Sequence, residues 1–118
     1  MGTFKVELGI NNGNGGATQW VQAQVDTGAS YTALPSALLH GQVGIEPQQE
    51  RMFTLADGRK QLFAMGEARF YVGDREGTSP VVFGEEGTYL IGATTLQVLG
   101  LIADTTNHRL IPAPELTL

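Results

Sequence analysis

The residues best placed to do chemistry in this chain are Asp26-Thr27-Gly28-Ala29-Ser30. They follow an apolar, alternating run, Trp20-Val21-Gln22-Ala23-Gln24-Val25, so a strand delivers a carboxylate into a tight loop of small residues. An ionised carboxylate at the end of a buried strand is costly unless donors surround it. Thr27 offers a hydroxyl, and Gly28 lets backbone N–H groups approach closely. A carboxylate held in this way can serve as a general base or acid. The plainer reading of Asp26 is a turn residue that caps local N–H groups. Ser30 can hydrogen-bond a ligand or simply its own backbone.

The elements that must position this loop are short strands. Phe4 to Ile10 alternates as an amphipathic strand, and Asn11 to Gly16 is a turn cluster. Its glycines lack the spacing of a phosphate loop, so a hairpin loop is expected there. Thr18 to Val25 is the strand that leads to Asp26, and its Trp20 is expected in the core. Leu34 to Leu39 reads as a short helix with Pro35 near its first turn. Gln48 to Leu55 and Arg59 to Val72 flank Asp57-Gly58, a type I′ hairpin signal. A two-residue turn there pairs Phe53 with Leu62 and puts Phe53, Leu55 and Leu62 on one face, with Met52, Ala56 and Phe63 on the other. Pro80 to Phe83 and Tyr89 to Ile91 are further strands. Ala93 to Leu99 is a helix closed by Gly100, and two strands flank Asp104 to His108. Val25-Asp26-Thr27-Gly28-Ala29 is faintly echoed by Leu90-Ile91-Gly92-Ala93-Thr94: each is a strand, a small-residue turn and a short helix.

Composition narrows the function. The 118 residues are 42% hydrophobic and 16% charged, with 16 glycines, a mix that suits many short strands joined by tight turns. A net charge of −5 disfavours nucleic-acid binding, because no basic stripe exists to displace counterions. The absence of cysteine removes disulfides and thiolate metal sites. His40 and His108 are far apart in sequence with no acidic cluster beside either, so no metal site is expected. No stretch is long and apolar enough to be a membrane segment. Phe4-Lys5-Val6-Glu7-Leu8 alternates like a strand and not like a signal peptide, which makes a cytoplasmic location the expectation.

Four features in chain order resemble the retropepsin-like family, the single-lobe, retroviral-type aspartic proteases, in the form of a bacterial-type member. Asp26-Thr27-Gly28 resembles the catalytic triplet. The hairpin from about Met52 to Met65 is similar to the flap. Leu90-Ile91-Gly92 is similar to the element before the final helix. Leu99 to Asp104 with Arg109 to Pro112 resembles the closing segment. The resemblance implies one domain over 1–118, all-β and mainly antiparallel: a closed β-barrel lobe with a flap hairpin and one or two short helices. It implies an aspartic endopeptidase with Asp26 catalytic. Thr27 would orient the loop across a dimer axis, and Gly28 and Ala29 would complete it. Ser30 and the hairpin tip Ala56, Asp57 and Gly58 would meet an extended peptide or protein substrate, although Asp57 also reads as a plain hairpin residue. No metal or other cofactor is implied.

Family chemistry needs two carboxylates about 3 Å apart that share one proton, for which the aspartic-protease dyad is the established case. One chain carries one Asp-Thr-Gly, so a homodimer placing two copies of Asp26 across a two-fold axis is expected. Asp104-Thr105-Thr106 is the nearest internal substitute, and it lacks the glycine. The chain differs from retroviral enzymes at the hairpin tip, which is not glycine-rich, and at Ala93-Thr94, where they carry a charged or amide residue. Ala29 stands where pepsin-like lobes carry Ser. The alternative function is a non-catalytic peptide-binding or dimerisation module on the same fold.

Overall fold

The computed structural model describes residues 3–115. The chain is mainly β, with nine strands and two short helices among these residues. In order they are β1 (Phe4–Asn11), β2 (Gln19–Val25), β3 (Thr32–Pro35), a π-helix (Ala37–Val43), β4 (Gln49–Thr54), β5 (Lys60–Val72), β6 (Arg75–Gly84), β7 (Leu90–Ile91), α1 (Ala93–Leu99), β8 (Leu101–Asp104) and β9 (Arg109–Pro112). Seven strands form one sheet in the order β1-β2-β7-β3-β6-β5-β4, and β1 also pairs with β5. Hydrogen bonding therefore returns on itself through six strands and leaves β4 outside the circuit. Strands β8 and β9 form a separate ribbon.

Period-two alternation drives the burial. In β2, Ala23 and Val25 are buried while Trp20 and Gln22 face outward. Leu8, Ile10, Leu34, Leu39, Phe70, Val81 and Ile91 fill the interior with essentially no exposure. Trp20, expected in the core, is 51% exposed. It shares the outer face of β2 with the glutamines, and its ring lies over its register partner Gly9, where a Cβ would stand 2.9 Å from it. The glycine supplies a seat for the ring, so the tryptophan needs no place inside.

Two further expectations are corrected. The helix expected from Leu34 begins at Ala37, because Leu34 and Pro35 belong to β3, which pairs parallel with β6 from Thr32↔Val81 to Pro35↔Gly84. The hairpin register is also shifted by one residue: Phe53 pairs with Gln61, Met52 with Leu62 and Arg51 with Phe63. A type I′ turn needs positive φ at both Asp57 and Gly58. Only Gly58 has it, at 88°. The loop is instead a three-residue turn, with the Gly58 N–H donating to the Leu55 carbonyl at 2.9 Å and the Leu55 N–H donating to the Arg59 carbonyl at 2.7 Å. The shift inverts the face assignment. Arg51, Phe53 and Phe63 now share one face, and Met52 and Leu62 are exposed on the other, at 58% and 53%. No helix among the described residues is long and apolar enough to cross a membrane.

Candidate active site

Strand β2 ends at Val25, and the next residue is locked by its neighbours. The Asp26 N–H donates to the Ile91 carbonyl at 3.0 Å, because β2 and β7 run parallel with Val25 opposite Ile91. The Asp26 carbonyl accepts the Ala29 N–H at 3.1 Å, closing a turn. Asp26 Oδ1 accepts the Gly28 N–H at 3.0 Å. Asp26 Oδ2 has no hydrogen-bond partner among the described residues. A Cβ at Gly28 would stand 3.3 Å from Oδ1, so a side chain there would crowd the carboxylate.

The faint echo between the two strand–turn–helix segments is a physical contact. The Ala93 N–H donates to the Ala29 carbonyl at 2.8 Å, and the Thr94 N–H donates to the Ser30 carbonyl at 3.0 Å. Helix α1 thus spends its first free N–H groups on the Asp26 loop, which answers the usual need of a helix N-terminus for acceptors. Gly92 sits at the crossing. A Cβ there would lie 2.7 Å from the Tyr31 nitrogen and closer still to its carbonyl.

Below the crossing lies a buried chain of hydroxyls. Thr32 Oγ1 accepts the Gly92 N–H at 3.1 Å and contacts Thr95 Oγ1 at 2.5 Å, and Thr95 Oγ1 contacts Ser79 Oγ at 2.9 Å. Ser79 donates to the Pro80 carbonyl at 3.1 Å. Each hydroxyl has one proton. The order consistent with all four contacts is Thr32 donating to Thr95, Thr95 to Ser79 and Ser79 to Pro80. All three side chains are buried. They tie β3, β6 and α1 together directly beneath the loop.

Asp26 is half-buried and lines an open cleft of about 630 Å³. Gly28, Ala29, Ser30 and Tyr31 form its floor beside Asp26; Ala33, Val82 and Leu90 supply apolar surface; Phe53, Leu55, Ala56, Arg59 and Phe63 form the hairpin wall; and Gly84, Glu85 and Thr88 form the far rim. Of the residues singled out from sequence, Asp26, Gly28, Ala29, Ser30 and Ala56 meet in this cleft. Thr27 does not line it and is exposed at the apex of the loop. Asp57 and Gly58 do not line it either. The Asp57 carboxylate is bound to the Arg59 side chain at 2.6 Å, and the Arg59 N–H and side chain together hold its pKa below the usual carboxylate value. Asp104 is likewise absent from the cleft. It sits at the end of β8, where the Asn107 side chain and N–H, then Arg109, hold its pKa down.

Sequence reading missed Tyr31, Phe53 and Phe63 as a joined aromatic wall. Tyr31 and Phe53 meet edge-on with centroids 6.1 Å apart, and Phe53 and Phe63 at 5.9 Å. Arg51 donates to the Tyr31 hydroxyl at 2.8 Å, with its guanidinium carbon 5.6 Å from the ring centroid. The register shift hid this wall. A three-residue loop, signalled by a single glycine after Asp57, would have disclosed it. His40 lies 3.5 Å from Glu46 at the surface, and His108 stacks on Phe4. Among the described residues no three His, Cys, Asp or Glu side chains gather in a way that could hold a metal ion. A second hollow of about 330 Å³, lined by Lys5, Gln22, Gln24 and residues 87–90, holds no carboxylate. In comparisons with known proteins, no protein-family model and no curated protein sequence matches the chain.

Proposed function

We propose that this protein is an aspartic endopeptidase of the retropepsin-like type, acting as a homodimer in which two copies of Asp26 form the dyad. The observation that carries the reading is the placement of Asp26. Its N–H is fixed by β7 and the loop that follows it by α1, one carboxylate oxygen is engaged by Gly28, and the group lines an open cleft flanked by a projecting hairpin. A carboxylate that served only to cap its turn would gain nothing from that cleft. The circuit of six hydrogen-bonded strands, the projecting β4–β5 hairpin and the β7–α1 segment beside the Asp26 loop support the reading.

Thr27 and Gly28 are exposed at the loop apex, where a second copy would cover them. Across that axis one Asp26 is ionised and the other neutral, since two close like charges cannot both persist. The ionised carboxylate takes a proton from water as its oxygen attacks the peptide carbonyl carbon. The neutral carboxyl gives its proton to the carbonyl oxygen. As the C–N bond breaks, the proton taken from water passes to the leaving nitrogen, and one hydroxyl of the tetrahedral intermediate returns its proton to the second carboxylate, so that the C=O bond re-forms and the dyad again shares one proton. An extended peptide lies along the cleft, held by strand-like backbone hydrogen bonds.

The test is peptide-library cleavage by wild type and Asp26→Asn. The amide is nearly isosteric but cannot act as base, so kcat is expected to fall by about 10²–10⁴-fold or more, with an unchanged melting temperature. Undiminished turnover in the purified variant overturns the proposal. No cleavage by either protein, with Asp26-independent peptide binding, favours the non-catalytic binding module.

A further inference from the structure

The hairpin beside the cleft projects from the sheet. Strand β6 pairs with β5 only from Met65 onward, and β1 only at residues 69–71. From Glu50 to Ala64 the arm pairs with itself alone. Among the described residues, one hydrogen bond joins this arm to the rest of the molecule, from Arg51 to the Tyr31 hydroxyl. The same pair stacks cation over ring, and Phe53 of the arm meets the edge of Tyr31. Tyr31 directly follows Ser30 in the loop that α1 fixes, so its backbone is anchored. Arg51 makes no ion pair among the described residues, which leaves its guanidinium to the tyrosine.

We propose that Arg51 and Tyr31 form a latch that holds the β4–β5 arm near the Asp26 loop, and that the arm swings away and the cleft widens when this pair parts. An arm that is paired only with itself swings as a body about its root near Gln49 and Met65. One exposed hydrogen bond with one cation–ring contact is strong enough to bias that swing and weak enough to release it. Arg51 is therefore a positioning residue that sets how far the arm stands from the Asp26 loop. The proposal deepens the protease reading and rests on it only for what the cleft takes.

The absence of cysteine lets spin labels be placed at will. Lys60→Cys on the arm and Glu86→Cys on the opposite turn, both exposed and outside the cleft lining, report the arm-to-rim distance by pulsed electron resonance. Excess unlabelled chain keeps the measurement within one chain. Tyr31→Phe keeps the ring and removes the hydroxyl; Arg51→Gln removes the charge. Each is expected to raise a longer-distance population about threefold, the scale of an exposed polar pair, and the double variant to raise it no further than the larger single effect. Unchanged distances in both single variants, or effects that add in the double variant, overturn the latch. No substrate is needed, so the latch can fail while Asp26-dependent cleavage stands, and cleavage can fail while the latch stands.

Discussion

Gly92 is where the Asp26 loop, β3 and α1 come within contact of one another. Any side chain there drives its Cβ into the backbone of Tyr31, and backbone yields less readily than a side chain. Gly92→Ala is expected to cost about 1–3 kcal/mol, the range of overpacked sites, read from urea denaturation. Gly41→Ala is the control: nothing lies within 4 Å of a Cβ there, so its midpoint is expected to move little. The hydroxyl chain beneath makes a second claim at this scale. Thr95→Val keeps the shape but leaves Thr32 without an acceptor and Ser79 without a donor. A loss of about 1–3 kcal/mol is expected, as for a buried polar group stripped of its partner. A variant as stable as wild type would show that water or a rotated hydroxyl replaces the link.

At the scale of elements, two turns are held by carboxylates of depressed pKa. Asp57 is engaged by the backbone N–H and side chain of Arg59 in the β4–β5 turn, and Asp104 by Asn107 and Arg109 in the β8–β9 turn. A carboxyl with a lowered folded pKa binds fewer protons folded than unfolded, so its stabilisation is complete above the ordinary Asp value of about 3.9 and disappears as pH falls through the depressed value. Asp104→Asn is therefore expected to melt below wild type at pH 6, with the gap closing towards pH 2. A gap that is constant with pH would mean that the ionised form of Asp104 contributes nothing. Helix α1 is closed at its other end by Arg75, which donates to the carbonyls of Leu99 and Gly100 at 3.0 Å each. The helix is thus tied to the Asp26 loop at one end and to β6 at the other.

For the whole molecule, β2 ends where its parallel pairing with β7 ends, at Val25 opposite Ile91, and Asp26 emerges there. That emergence point presents Thr27 and Gly28 to solvent in a single chain. If two copies complete the site there, specific activity falls on dilution through the dimer dissociation constant, and added Asp26→Asn chains poison wild type in proportion to mixed dimers. Full activity from a sedimentation-verified monomer would refute the two-chain dyad.

The alternation of apolar residues and the turn glycines determined the main elements: β1, β2, the β4–β5 hairpin, α1 with its Gly100 stop, and the loop carrying Asp26. These are local signals of period and backbone freedom, readable without knowing any neighbour. Strand β3 was not legible, because four residues ending in proline carry little periodicity and are strands only through pairing with β6 and β7. The hairpin register was misread because Asp-Gly fits both a two-residue and a three-residue loop, and one residue decides which face every side chain takes. Only the tertiary structure, by that choice, turned Phe53 and Phe63 towards Tyr31 and set Arg51 against its hydroxyl. It alone also made the echo between residues 25–29 and 90–94 a contact, since parallel pairing of β2 with β7 is a non-local event that neither segment encodes by itself.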